Sequence, residues 1–478
     1  MAKAGIVIAG LCGGSGKTII SLGIIAAWKE QGFKVSCFKK GPDYIDAGWL
    51  AYAAELPCYN LDTFLCLPEI VKQSYHNNSK NSDISVIEGN RGLYDGIDTD
   101  GSTSTAELAK LLDLPILLIL DCTKSTRTIA ALLLGCMNFD PKINICGVVL
   151  NKVAGKRHEN KIRANIEKFC HIPVLGSIPK LKHHKFPERH MGLVPSQENF
   201  HSTEAISQAR GEIKANIDLK ALYNIIVKRK QKKAEQADNK KLKSFNKKEI
   251  SNQYSQFFNI IVKTNIVKIG IIKDLAFQFY YPDNIAALQK IGAQIVFISP
   301  IKEKKLPDVH GIYMGGGFPE AYAKQLAKNE SFKESLKISS ENNLPIYAEC
   351  GGFMFLGQSI QLKDKIYPMS KILPIEFGLS TKPQGHGYTI VKVINNNPFY
   401  AKGEILKGHE FRYSSVLNID FKDNEMAFKM ERGKGICNKK DGFFKNNTFG
   451  TYTHIHALGT PSFAFSLVKK AKEYMENY

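Results

Sequence analysis

Residues 10–18 read GLCGGSGKT, between an apolar run and the helix-like stretch TIISLGIIAAW. Glycines let successive backbone N–H groups turn toward an anion, and a helix start behind them adds its own free donors. Gly13, Gly14 and Gly16 suit that part. Lys17 would bridge β- and γ-phosphates, and Thr18 would offer its hydroxyl to Mg²⁺. The first glycine stands one place earlier than the strict phosphate-loop pattern requires, so the strict pattern fails. A chance glycine loop is the bland alternative, and strand, loop, Lys-Thr and helix in that order argue against it. A dinucleotide loop would have no use for Lys17, so the loop reads as a nucleoside triphosphate site.

Acids stand where they could face that loop. KGPDYIDAGW carries Asp43 and Asp46, and EGNRGLYDG carries Glu88 and Asp95. Both stretches follow apolar strands, and open parallel sheets bind ligands outside the carboxyl ends of their strands. A carboxylate there would hold Mg²⁺ directly or through water. Any one of these acids alone is more simply a turn cap. Glu88, at a strand end before Gly89, is the strongest metal candidate, and Asp43, fixed by the preceding Gly-Pro, points to metal, substrate or both.

A second kind of chemistry lies near the other end. Residues 344–352 read LPIYAECGG, an apolar strand running into Cys350 and two glycines. A sharp strand-to-helix turn of that composition exposes a nucleophile. The other nine cysteines read as small buried hydrophobes; they show no CxxC pair and no zinc rhythm. A thiol needs a base, and GTYTHIHALGT supplies His454 or His456, two residues apart and so on one face of a strand. Gly315, Gly316 and Gly317 in MGGGFPE offer backbone N–H groups for an oxyanion hole.

The elements that must hold these residues alternate. Residues 5–9, 35–39, 84–88, 116–121 and 145–150 are short, apolar and β-rich, each followed by room for a helix. That rhythm predicts a parallel sheet covered on both faces. A second α/β pattern has strands at 268–273, 294–298, 311–314 and 345–348, with helices at 282–291 and 321–339. Two α/β domains in series follow: 1–227, a basic linker at 228–265, and 266–478. The linker holds ten Lys/Arg and two acids between residues 228 and 248, so this stretch carries +8 of the chain's net +20. It reads as a solvated charge run, and no nucleic-acid signature accompanies it. No apolar run reaches the roughly 18 residues that would span a bilayer. The glycine loop follows the first apolar run where a signal peptide would be cleaved. The cytoplasm is the expected compartment, with no membrane and no nucleic acid as partners.

Taken together, GLCGGSGKT, FKKGPDYIDAGW, EGNRGLYDG, STAELAKLLDLP, GVVLNKV, PERHMGLV, FYYPDN, MGGGFPE, AECGGF and GHEFRYS resemble the cobyrinic acid a,c-diamide synthase family, in its order and across nearly the whole chain. The resemblance implies a P-loop NTPase-type synthetase domain similar to dethiobiotin synthetase, then a class I glutamine amidotransferase domain. It implies ATP as co-substrate with Mg²⁺, L-glutamine as nitrogen donor, and cobyrinic acid or a related tetrapyrrole acid as acceptor, and it leaves a homodimer open. By position it puts Lys17 and Thr18 on the phosphate-loop pair and Glu88 on the metal-associated glutamate. It puts Asp43 and Asp95 around the substrate carboxylate, and Asn151 near the adenine-reading position. His454 falls on the catalytic base. His456 stands where related amidotransferases carry the glutamate that orients it. Glu188, Arg189 and His190 are either substrate contacts or a structural turn. Departures are Arg91, where other members have an apolar residue, Arg412 in place of a common histidine, and Ala457 in place of an aromatic. A nickel-sirohydrochlorin diamide synthase is the nearest rival. A DNA-partitioning ATPase is a distant one, since it gives Cys350 and His454 nothing to do.

Overall fold

The computed structural model describes residues 4–180, 188–189, 192–195, 198, 201–238 and 266–477. The chain forms two compact units, 1–244 and 245–478.

The first unit is built on seven parallel strands: β1 (Ala4–Gly10), β2 (Val35–Lys40), β3 (Cys58–Leu61), β4 (Ile84–Glu88), β5 (Ile116–Asp121), β6 (Ile145–Val153) and β7 (Val174–Pro179). Their order is β3-β2-β4-β1-β5-β6-β7. β1, β2 and β4 are buried at every position, as strands covered on both faces must be. All five expected strands are present. β3 and β7 are additional: one has only four residues, and the other carries Gly176 and Ser177, so neither shows an unbroken apolar run. β1 lies between β4 and β5, with Ile8 opposite both Glu88 and Leu117. This register brings the glycine loop beside the end of β4.

Helix α1 (Lys17–Glu30) starts directly from the loop, with Gly16 at its cap in a left-handed conformation, φ 92°. A Cβ on Gly16 would also run into Asn151 Nδ2, so both backbone and space demand glycine. The helix Leu219–Asp238 continues past residue 227, into the segment read as linker; residues 239–265 lie outside the described residues. Among the described residues, no helix is long and apolar enough to cross a membrane.

The second unit contains a ten-stranded sheet. Its parallel half runs, in order, Gln294–Ile298, Lys268–Ile272, Gly311–Met314, Ile346–Glu349 and Thr448–Thr451. An antiparallel half continues through Lys440–Lys445, Met426–Arg432, Gly385–Val393 and Ile405–Arg412 to His454–Ile455. A separate sheet joins Lys365–Pro368, Ser359–Leu362, Ile375–Leu379 and Ser414–Ile419. The helix expected over 321–339 is interrupted. A 3₁₀ turn at Pro319–Tyr322 precedes helices Ala323–Lys328 and Glu330–Glu341, and Asn329 between them caps the second by accepting from Phe332 N at 3.4 Å. Asparagine favours such caps because its side chain competes with the helical hydrogen bonds. Aromatic rings fill one side of the large sheet, where Tyr347 stacks on Phe449 at 5.4 Å and 8°.

Candidate active sites

In the first unit the loop, α1 and the ends of β2, β4 and β6 enclose a cavity of about 740 Å³, lined by Gly13, Gly14, Gly16, Lys17, Thr18, Lys39, Asp46, Glu88 and Asn151 among others. Lys17 Nζ donates to two carbonyls, Cys12 at 2.9 Å and Arg91 at 2.8 Å, which folds its side chain across the mouth of the loop. Burial and the nearby Lys39 charge lower the Lys17 pKa, opposed by Glu88 and Asp46. An anion in the cavity would relieve that pressure.

Thr18 Oγ1 donates to Glu88 Oε1 at 2.8 Å. The same oxygen accepts from Lys39 Nζ at 2.7 Å, a contact fixed by the β2–β4 register that puts Lys39 opposite Glu88. Lys39 also meets Asp46 Oδ2 at 2.5 Å and Asp43 Oδ2 at 3.7 Å. One ammonium therefore serves three carboxylates. Burial alone would discharge Lys39, but Asp46, Glu88 and Asp43 together hold its pKa well above the ordinary value. Burial keeps Glu88 above the usual carboxylate range. Glu88 Oε2 is buried and has no hydrogen-bond partner among the described residues. Negative charge in excess of Lys39 and an orphaned carboxylate oxygen beside Thr18 fit a divalent cation at this position. No group of three or more His, Cys, Asp or Glu able to hold a metal occurs among the described residues. Magnesium on a triphosphate asks for less, since it takes one or two protein ligands and fills its shell with phosphate and water.

Other expected residues fall differently. Asp95 Oδ2 accepts from Gly92 N at 2.8 Å and ties its own loop, so one of its oxygens is already engaged. The Asn151 amide faces the phosphate loop, with Nδ2 donating to Ser15 O at 2.8 Å. In this arrangement it supports the loop. The backbone at Glu188 and Arg189 pairs with Gly192 and Leu193, while the two side chains and His190 lie outside the described residues. Lys39 was not foreseen. Its signal was a pair of lysines, Lys39 and Lys40, at the end of a buried strand, which is costly without a purpose.

In the second unit the strand Ile346–Glu349 ends at Cys350, whose backbone is φ 47°, ψ −100°. A non-glycine residue held there is strained, as nucleophiles at sharp strand-to-helix turns are. Two close approaches force the turn. A Cβ on Gly351 would lie 2.9 Å from Gly317 N, and one on Gly352 would lie 2.6 Å from Met314 Cβ. His454 lies close enough to Cys350 for the thiol to act on its charge. Its Nδ1 is 3.2 Å from Glu349 Oε2, which leaves Nε2 for the sulfur. Burial works against a charge on His454, but the hydrogen bonds and charges of Cys350 and Glu349 raise its pKa to about 10. These contacts favour the charged form of His454, which beside a thiol would stabilise a thiolate.

Two expectations need correction. His456 does not orient the base: its Nδ1 accepts from Leu458 N at 3.3 Å, and its Nε2 lies 3.4 Å from Asp283 Oδ2. Alternation along a strand fails to unite the two histidines because the strand stops at Ile455. Nor is Gly315 an oxyanion donor, because its N–H donates to Tyr280 Oη at 2.8 Å. Gly316, whose Cβ would lie 2.6 Å from His454 Cε1, lies against the histidine, and Gly317 lies against Gly351, next to Cys350. Glu349 was not foreseen. An acid inside the apolar run LPIYAEC was the available signal.

Neither half alone makes an amide: a triphosphate site can activate an acid but has no nitrogen, and a thiol–imidazole site can free nitrogen but has no activated acid. Joined in one chain they define an amidating ligase that uses glutamine. Comparison with known proteins agrees. Residues 6–194 match the CobQ/CobB/MinD/ParA nucleotide binding domain, and residues 268–462 match the CobB/CobQ-like glutamine amidotransferase domain. A cobyrinate a,c-diamide synthase of Methanobrevibacter smithii is 38% identical over 98% of this chain and 99% of its own length. Proteins of the same name from Magnetococcus marinus and Methanosphaera stadtmanae are each 37% identical, over 96% and 98% of this chain and 95% and 99% of their own. The chain belongs to the cobyrinate a,c-diamide synthase family.

Proposed function

We propose that this enzyme converts the a and c acetate groups of cobyrinic acid to amides, with ATP as activator and glutamine as nitrogen donor. What supports the substrate is that relatives similar over nearly their whole length are cobyrinate a,c-diamide synthases. What supports the chemistry is the presence of both sites in one chain.

On the synthetase side a substrate carboxylate oxygen attacks the γ-phosphorus of ATP, giving an acyl phosphate and ADP. Lys17 meets the phosphate charge, and the loop amides orient the chain of phosphates. Thr18 and Glu88, with Asp43 close by, would hold Mg²⁺, which when bound offsets charge on the transferring phosphoryl group. Lys39 keeps Asp46 and Glu88 in place.

On the glutaminase side the Cys350 sulfur attacks the glutamine amide carbon. The C–N bond breaks as His454 gives its proton to the leaving nitrogen, producing ammonia and a thioester. Water then attacks the thioester, His454 takes its proton, and glutamate departs with the thiol regenerated. Ammonia displaces phosphate from the acyl phosphate, and each amide consumes one ATP and one glutamine. The cytoplasm, where thiols stay reduced, suits a chain whose ten cysteines are all free.

Glutamine-dependent ADP release by purified protein, with cobyrinic acid and with nickel-sirohydrochlorin in separate arms, tests the assignment. Turnover with cobyrinic acid alone is expected. Turnover only with nickel-sirohydrochlorin would keep the chemistry and overturn the substrate.

A further inference from the structure

We propose that Glu349, immediately before the nucleophile, is the positioning residue that orients the base His454 and sustains its charge, a duty the sequence pattern suggested for His456. The inference rests on the reading that Cys350 and His454 release ammonia from glutamine.

Both oxygens of Glu349 are engaged, and all of their partners belong to the base or its support. Oε2 accepts from Tyr313 Oη at 3.1 Å and lies 3.2 Å from His454 Nδ1, while Oε1 accepts from Ile455 N at 3.2 Å. A carboxylate can only accept, so Nδ1 carries a proton toward Glu349 and Nε2 is left free of that contact. The support has a further layer. Asn284 Nδ2 donates to Tyr313 Oη at 3.1 Å and to Ile455 O at 3.0 Å, and its Oδ1 accepts from Ala457 N at 2.7 Å. The nucleophile strand, the preceding parallel strand and the segment carrying the base are thus joined through one carboxylate.

Glu349 is fully buried, and among the described residues its only ion pair is with His454. A buried carboxylate whose counter-ion is a histidine gains most when that histidine is protonated. The charge on His454 and the burial of Glu349 therefore support each other. The neighbouring rings do not compete for it. His409 stacks on His454 at 4.9 Å and 17°, and burial, with His454 and His456 nearby, holds its pKa well below the ordinary value. His456 packs on Tyr281 at 4.6 Å, with Nε2 3.4 Å from Asp283 Oδ2.

The test is Glu349→Gln, which keeps the shape but puts an amide where a charged acceptor stood. Glutamine-dependent kcat should fall by about a hundredfold or more, while KM for glutamine changes by less than about threefold, because the lost interaction acts on the base. ADP release driven by ammonium, which bypasses His454, should stay within about twofold. Alkylation of Cys350 by iodoacetamide, followed on the Cys350 peptide, should shift its acid limb to higher pH, since an imidazolium without its carboxylate loses its proton earlier. Glu349→Asp, which keeps the charge, should hold that limb near the wild-type position, and it carries the test if the glutamine variant is recovered unfolded. Near-wild-type glutamine-dependent kcat in Glu349→Gln, an unmoved alkylation limb, or a parallel loss of ammonium-driven turnover would each overturn the proposal. Wild-type protein with no glutamine-dependent ADP release would overturn the underlying reading as well, before any substitution is made.

Discussion

Lys39 shows how much of a site one buried charge can carry. Its ammonium is shared by Glu88, Asp46 and Asp43, and its side chain is only 2% exposed. Removing it leaves the fully buried Glu88 with no counter-ion, which costs about 3–5 kcal/mol when one partner of a buried pair is lost. Lys39→Met should therefore lower the denaturation midpoint markedly and abolish amidation with either nitrogen source. Unchanged stability would mean that water or another cation already serves the acids. Asp43 gives a pH prediction. Partial burial and the nearby Asp46 together push its carboxyl to about 7 against the pull of Lys39. If it works ionised, kcat/KM for the tetrapyrrole acid should fall as pH drops below about 7. His454, near 10, does not titrate in that window. A flat profile between pH 6 and 8 would remove Asp43 from the reaction. At this scale the sequence was readable where residue type and spacing carry chemistry: Lys17, Thr18, Glu88, Cys350 and His454 were all legible. Lys39 and Glu349 were not, because each hides at the end of an apolar run and earns its meaning from a strand register that spacing does not reveal.

At the scale of elements, the parallel strands were legible because strands buried on both faces read as continuous apolar runs. The antiparallel half of the second sheet was not. In Gly385–Val393, buried and partly exposed positions interleave, and loops of uneven length separate it from its partners. That half delivers the base. Asp441, at 0% exposure, accepts from Thr451 Oγ1 at 2.8 Å, Tyr452 N at 3.0 Å, and Thr453 N and Oγ1 at 3.0 and 2.8 Å, and so fixes the chain leading into His454. Hydrogen bonds to a charged group contribute about 1.5–3 kcal/mol each and are not additive, so Asp441→Ala should cost about 3 kcal/mol or more. Thermal or chemical denaturation reads that loss, and the glutaminase reaction should fail with it. A variant of wild-type stability would show that the segment holds itself.

For the whole molecule, two domains in series were legible from the change of rhythm around residue 228, although the helix Leu219–Asp238 carries regular structure beyond that point. The basic run holds no motif. Deleting residues 239–248 should leave KM for ATP and for glutamine within about twofold, as expected of a charged stretch that carries no motif. A large fall in kcat in a folded deletion variant would make it a working part. The central claim is that one unit frees ammonia and the other consumes it, each with its own chemistry. The direct measurement is ADP release by folded Cys350→Ala protein, supplied first with glutamine and then with high ammonium at alkaline pH. Glutamine-dependent turnover should fall by several orders of magnitude, roughly the loss seen when a covalent nucleophile is removed, while ammonium-dependent turnover persists. Loss of both activities together in a folded variant would contradict the claim.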